Sequence, residues 1–245
     1  MTEANGSPCR LCQAVAPLSR SHVLPEFLFT SLYDEKHRFI EVVDMLRGKV
    51  TRGQKGYRER LLCAKCESLL NRYERHARIM FVDPLPPKVS KLRRSYPNLE
   101  YPRLKLFFLS VLWRASISSL DIFKHVNLGP HEERIRQMVL NGDPGGADAY
   151  PTLLWVLNFN GDQLRDFIVE PTHMRVEGRK CYRFVMGGFL IMMFVAGIPA
   201  PEPFPQAVLD PSRPVQSLES ELGDWKFLVY AWETTARTTR DVVLD

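Results

Sequence analysis

Leu61-Leu62-Cys63-Ala64-Lys65-Cys66-Glu67 is the stretch whose reading decides how the first third of this chain folds, because it opens a helix that carries two thiols in its first turn. A matching pair, Cys9-Arg10-Leu11-Cys12, stands near the start. Each Cys-x-x-Cys turn can present two sulfurs to one ion, so the two pairs together supply the four thiolates of a tetrahedral zinc site. Cys9, Cys12, Cys63 and Cys66 are therefore expected to hold a structural Zn²⁺ that ties the chain start to the helix. A segment of about eighty residues with few large apolar side chains needs such a tie to fold. The alternative, a pair of redox-active dithiols, calls for a thioredoxin-like βαβ pattern that surrounds neither motif. The fifth cysteine, Cys181, sits alone among β-forming residues and reads as a small buried hydrophobe.

Beyond Cys66 the helix divides cleanly by face. At 100° per residue Glu67, Asn71 and Glu74 fall within about 60° of one another, while Leu69, Leu70, Tyr73, Ala77 and Met80 share the opposite side. Asp83-Pro84-Leu85-Pro86-Pro87 ends it and marks a module boundary. The expected organisation is a zinc-binding module over residues 1–82, a basic proline-containing linker over 83–103, and a helical then β-rich domain over 104–245. Leu104 to Ala115 is apolar nearly all round, which predicts a buried helix continuing toward Phe123. Gly129-Pro130 before Glu132 and Glu133, with Asn141-Gly142 at the far end, bounds a second helix.

From residue 150 the period shortens. Leu153 to Leu157, Phe167 to Val169 and Tyr182 to Met186 are short runs of β-formers bounded by Gly161-Asp162, Glu177-Gly178 and Gly187-Gly188, which predicts strands joined by tight turns. Phe184 to Ile198 is the longest apolar run, yet it holds three glycines and is too short to span a membrane, so it reads as buried β-structure. Pro199 to Pro214 is expected to be an irregular excursion, and Trp225 to Trp232 one more strand. Trp113, Trp155, Trp225 and Trp232 lie in apolar runs and are expected in the core. The fold class is thus α+β, ending in an antiparallel sheet.

The chain has 245 residues, 45% of them hydrophobic, and a net charge of +5. That charge is unevenly spread: residues 1–82 carry 14 Lys and Arg against 9 acids, whereas residues 116–245 carry 12 against 17. Basic charge concentrated in the first half suits a polyanion such as nucleic acid, and Arg20, Lys65, Arg72, Arg75 and Arg78 are the candidate contacts. Arg72, Arg75 and Arg78 are equally what a solvated helix face carries. The first residues, Met1 to Ser7, lack a basic start and an apolar stretch, so a reducing cytoplasm is expected.

Between the two cysteine pairs lies Ser19-Arg20-Ser21-His22-Val23-Leu24-Pro25-Glu26. Cys-x-x-Cys, then Ser-His-x-x-Pro, then Leu-Cys-x-x-Cys-Glu with a further Glu seven residues on, resembles the HNH endonuclease superfamily in its zinc-containing form, over about residues 7–80. The resemblance implies a ββα-metal, treble-clef-like fold for the first module, and a metal-dependent hydrolysis of DNA phosphodiester bonds, with RNA the alternative substrate and phage defence or restriction the setting. It implies His22 as general base, and an Mg²⁺ or Mn²⁺ ion on Glu67 first, Glu74 second and Asn71 in support, since such ions take hard oxygen ligands. Ser21 stands where these enzymes usually carry an acidic or histidine ligand. Glu67 replaces the usual final histidine, and no orienting asparagine can be matched between Asp44 and Gln54.

Read without the resemblance, His22 fits a structural histidine packed on Pro25 and Phe27, and His37 and His76 fit surface or capping roles. Glu67 and Glu74 likewise fit a first-turn acid and a salt-bridge partner of Arg78. Two other classes of function stay open: a non-catalytic zinc-stabilised nucleic-acid-binding module, and a protein whose acidic C-terminal part docks a regulatory partner.

Overall fold

The computed structural model describes residues 7–44, 49–201 and 207–243. Residues 1–6, residues 45–48 of the span between Asp44 and Gln54, residues 202–206 of the proline-rich excursion, and residues 244–245 lie outside them. In chain order the strands are Ser7–Pro8 (β1), Val15–Ala16 (β2), Leu18–His22 (β3), Phe39–Asp44 (β4), Lys49–Gly53 (β5), Arg58–Cys63 (β6), Lys88–Ser90 (β7), Arg93–Tyr96 (β8), Thr152–Phe159 (β9), Asp162–Gln163 (β10), Val169–Val176 (β11), Arg179–Met186 (β12), Phe189–Phe194 (β13) and Val215–Glu221 (β14). The α-helices among the described residues are Ala64–Val82 (α1), Tyr101–Ile117 (α2), His131–Asn141 (α3) and Lys226–Val243 (α4). None of them is long and apolar enough to cross a membrane.

An eight-stranded sheet, ordered β11-β12-β13-β9-β14-β8-β7 with β10 on β9, forms the centre of the molecule. The run from β11 to β13 is built from tight hairpins, whose turns need glycine. Gly187 and Gly188 both have positive φ, and a Cβ on Gly187 would come within 2.6 Å of the Phe81 ring. Along β9, Leu154 and Val156 enter the cluster beneath α1, α2 and α3, whereas Leu153, Trp155 and Leu157 enter a second cluster shared with Leu228 and Ala231 of α4. Burial on both faces explains why these strands are apolar without alternation.

Two expectations for the C-terminal part are corrected. The sheet is mixed, not antiparallel throughout, because β14 pairs with β9 in parallel across Leu218–Trp155 to Glu221–Asn158. Lys226 to Trp232 is the start of a helix and not a strand, with Trp225 just before it. Leu228, Ala231 and Trp232 recur at helical spacing, and they close the apolar second face of the sheet. α2 stops at Ile117, short of Phe123, which lies in a separate 3₁₀ turn. Glu59 fixes that end by accepting hydrogen bonds from the Ser118 hydroxyl and from the Ser119 amide and hydroxyl. Of the four tryptophans, Trp113 and Trp155 are buried, and Trp225 and Trp232 are half-buried against the second cluster.

Residues 83–103 contribute strands β7 and β8 to the sheet, where Arg94 pairs with the buried Glu219 carboxylate. One hydrophobic cluster joins Cys9, Leu62 and Leu70 to Phe107, Phe108 and Phe189, so the first part of the chain and the sheet share a core. α2 runs through its middle, which is why nearly every side chain from Leu104 to Ala115 is buried.

That position also buries Lys105, whose ammonium donates to the Tyr150 carbonyl. Burial pulls its pKa from 10.5 down to about 7. With the folded value below the unfolded one, the unfolded chain binds the extra proton between the two, so stability rises with pH across that window. Wild-type protein is expected to gain about 2 kcal/mol between pH 7 and pH 9 from this group, whereas Lys105→Met loses that slope. Urea unfolding of both proteins at the two pH values checks it.

Candidate functional site

The first thiol pair sits in the turn of the short β1–β2 hairpin. Gln13 takes a left-handed φ of 63° to close it, and the Cys9 amide bonds the Ala14 carbonyl at 2.9 Å. The second pair is set by the start of α1, where Cys63 is the N-cap and Cys66 lies in the first turn. The Arg10 amide to the Leu61 carbonyl, 2.9 Å, and the Cys63 amide to Cys9 Sγ, 3.3 Å, lock the two turns together. From outside, Arg136 of α3 donates to the Leu11 carbonyl while pairing with Glu133.

The four Sγ atoms converge, all within 4.8 Å of one another, and all five cysteines of the chain are free thiols. Cys12 and Cys63 are 3.8 Å apart at sulfur, far beyond a disulfide bond. A regular tetrahedron with Zn–S bonds of about 2.3 Å has sulfur edges of about 3.8 Å, so the donor set fits a zinc ion. At Cys9 the electrostatics favour the anion: burial works against a thiolate, yet the amides of Cys12, Cys63 and Leu11 bring its pKa down to about 7. Cys66 is shifted the other way: burial, and then hydrogen bonds with Cys12, Cys9 and Cys63, push its thiol up, an opposition that a bound cation would offset.

β3 and β6 pair antiparallel from Leu18–Cys63 to His22–Arg58, so the cysteines and His22 mark opposite ends of one ladder. α1 then runs back along that ladder. One turn in, Glu67 accepts from the hydroxyl of the fully buried Ser21, which also accepts from the Leu62 amide at 3.2 Å. Seven residues on, about 10 Å along the axis, Glu74 comes level with the His22 end. Between them stands Arg114 of α2, 1% exposed. Its Nη1 donates to Glu74 Oε1 at 2.8 Å and to the His22 carbonyl at 2.7 Å, while its Nη2 is buried without a partner among the described residues.

The His22 ring is held by Glu26, four residues on, through Nε2 and Oε2 at 2.8 Å. Glu26 is held in turn by the Tyr33 hydroxyl at 2.6 Å and by Arg58 at 3.1 Å. Burial opposes ionisation of Glu26, but these bonds bring its pKa below the usual carboxylate value. Burial, and then the Arg58 charge, lower that of His22. The pair is therefore a carboxylate beside a neutral imidazole. An ionised carboxylate only accepts hydrogen bonds, so the proton resides on Nε2 and the lone pair on Nδ1.

The other expected residues are more scattered. Asn71, Arg20, Lys65, Arg72, Arg75 and Arg78 are exposed, and the partner of Glu74 is Arg114, not Arg78. His37 stacks on Tyr33, and His76 is a buried capping residue whose Nε2 accepts the amide of Glu100, the N-cap of α2. Among the described residues the four cysteines are the only convergent group of three or more metal-ligating side chains; His22, Glu67 and Glu74 do not form one. Sequence reading did not single out Glu26, Tyr33, Arg58 or Arg114. Glu26 carried a legible signal, a carboxylate in the same Ser-His-x-x-Pro-Glu segment, but Arg114 lies 92 residues from the carbonyl it binds.

The Glu74–Arg114 pair permits a direct test. Glu74→Ala leaves a buried guanidinium facing only carbonyls, and is expected to cost about 3–5 kcal/mol of unfolding free energy. Glu67→Ala removes a bond to a neutral hydroxyl and is expected to cost about 1–2 kcal/mol. Urea titrations of both variants give the comparison.

Set against known proteins, the chain matches no family model, no curated protein and no solved structure. The fold and the site thus define an α+β protein with a four-cysteine centre suited to zinc.

Proposed function

We propose that this chain is a zinc-stabilised, metal-dependent endonuclease of the HNH type that hydrolyses DNA phosphodiester bonds. The observation that carries the reading is the environment of His22: a neutral imidazole at the end of β3, oriented by Glu26 and lying level with an acidic turn of the helix that leaves the cysteine centre. A strand-end base, a helix with two carboxylates on one face and a four-cysteine clasp are the parts of a ββα-metal nuclease, and the sequence resemblance falls on the same residues.

In this reading His22 Nδ1 takes the proton of the attacking water, and Glu26 fixes the tautomer and stabilises the imidazolium that results. Arg58 and Tyr33 hold Glu26 in place. Mg²⁺ or Mn²⁺ would be held by Glu67 and Asn71, with Glu74 already committed to Arg114, and would supply charge stabilisation at the scissile phosphate. Zinc has no part in the reaction and holds β6 and α1 against the first knuckle.

A second reading draws on the same contacts. Glu67 and Glu74 are each hydrogen-bonded within the protein and do not converge with His22, as suits a zinc-shaped nucleic-acid-binding module without catalysis. Supercoiled plasmid incubated with zinc-loaded protein and Mg²⁺ or Mn²⁺ separates the two. Metal-dependent nicking that His22→Ala abolishes supports the nuclease. Retention of DNA with no nicking in either metal supports the binding module.

A further inference from the structure

The flank of α1 turned away from His22 carries a groove of its own. One concavity at the cysteine end, lined by Lys65, Leu69 and Cys66, and another farther along, lined by Arg75, Ile79 and Arg103, share Leu69, Arg72, Leu140 and Asn141 as a common wall. They are two ends of one channel between α1 and the end of α3. From Lys65 to Ile79 it follows the helix for about 21 Å.

Its chemistry is one-sided. Lys65, Arg72, Arg75 and Arg103 are exposed along it, and among the described residues the first three have no ion-pair partner. Among the described residues Arg103 pairs only with Glu100, at 3.2 Å with both side chains more than half exposed, a pair weak enough to exchange for a phosphate. Leu69 and Leu140, half-buried, form an apolar floor between the cations. A duplex strand presents one phosphate about every 3.4 Å, so the channel spans about six of them.

The channel is not the face that would react. At 100° per residue Lys65, Leu69, Arg72 and His76 lie within about 60° of one another, and about 160° around the helix from the centre of Glu67, Asn71 and Glu74. We infer that this groove is a separate phosphate-binding track for nucleic acid, one that holds a strand without presenting it to His22. The inference takes nucleic acid as partner from the proposed function but does not need hydrolysis. It also divides the candidate cations: Lys65 and Arg72, joined by Arg103, belong to the track, Arg75 stands on its rim about 70° around the helix from the centre of the acids, and Arg78 lies on the side of the acids.

The test is fluorescence anisotropy of a labelled 30-base-pair duplex with the full zinc-loaded chain, without added Mg²⁺ or Mn²⁺, over a series of KCl concentrations. The groove variant is Arg72→Gln, Arg75→Gln and Arg103→Gln together. The control removes three exposed cations elsewhere, Lys124→Gln, Arg134→Gln and Lys226→Gln. Each lost phosphate contact removes about 0.9 from the slope of log affinity against log salt. The groove variant is expected to bind at least tenfold more weakly at 100 mM KCl with a slope lower by about two to three, and the control to change by less than twofold. Groove and control variants that weaken equally, or a wild type that does not bind, would overturn the inference. Nicking of plasmid in Mg²⁺ is scored on the same proteins. Groove-dependent binding without nicking leaves the track standing and removes the nuclease; nicking with unchanged affinity in the groove variant does the reverse.

Discussion

Cys66→Ser is expected to bring zinc content from one ion per chain to almost none and to lower the melting temperature by about 10 °C or more. A structural zinc site of this kind binds with about 10–16 kcal/mol of apparent free energy, all of it available only to the folded chain. Part is recovered when the apo protein keeps its packing, since Leu62, Leu70 and Tyr73 belong to the same cluster as the sheet. A residual loss of about 4 kcal/mol in a chain of this length still moves the midpoint by about 8–16 °C. Cys181→Ala is the matched control. It is also buried, but it stands apart from the cysteine group, so it should keep the zinc and cost only packing energy. Elemental analysis with thermal scans on reduced protein decides the matter. A wild type that purifies without zinc, or a Cys66→Ser protein that retains it, would mean that the four thiols meet for another purpose.

His22→Ala carries the second large effect: plasmid cleavage in Mg²⁺ or Mn²⁺ should fall by about 10²–10⁴, the usual contribution of a positioned general base. That is about 3–5 kcal/mol on the barrier. Zinc content and DNA affinity should stay as in the wild type, because Arg114 bonds the backbone carbonyl at position 22, which alanine keeps. Glu26→Gln refines the result. The amide preserves the shape but not the charge, so the ring is free to carry its proton on either nitrogen, and a loss of about tenfold or more is expected without a change in metal content. If the wild type nicks plasmid no faster than His22→Ala, the hydrolytic role is wrong and the Glu26–His22–Arg58 network is a structural clamp on the turn after β3.

Much of this architecture was legible because it is encoded over short distances. The α1 face is read from one helical period, and Leu70, Tyr73, Ala77 and Met80 are indeed the buried side. α3 is bounded as its punctuation predicts, with Gly142 at φ 72° closing it. The Leu153–Leu157 and Tyr182–Met186 runs lie in β9 and β12 beside the tight turns that their glycines mark, whereas of Phe167–Val169 only Val169 enters a strand, as the first residue of β11. α4 was misread for a definable reason. An eight-residue apolar run fits either a buried strand or one face of a helix, and only the second face of the sheet, needing cover, selects between them. The parallel β9–β14 pairing was likewise hidden, since a crossover of more than fifty residues leaves no local trace of strand direction.

The site divides along the same line. Four cysteines in two spaced pairs could be read from the sequence as a candidate metal-ligand set, because ligand chemistry and spacing are properties of the residues themselves, and the fold brings their sulfurs together. What surrounds His22 is of another kind: Arg58 from the opposite strand and Arg114 from the middle of α2 reach it through packing. A buried cation takes whichever acceptors the core leaves open. The sequence by itself therefore determined a four-cysteine clasp, a two-faced helix and a basic first half, and tertiary structure alone decided that Glu74 is neutralised by Arg114, that Glu26 sets the His22 tautomer, and that Arg72 of α1 lines a groove turned away from both. Periodicity and spacing act between neighbours along the chain, whereas the partner of a buried charge is settled only when distant elements meet.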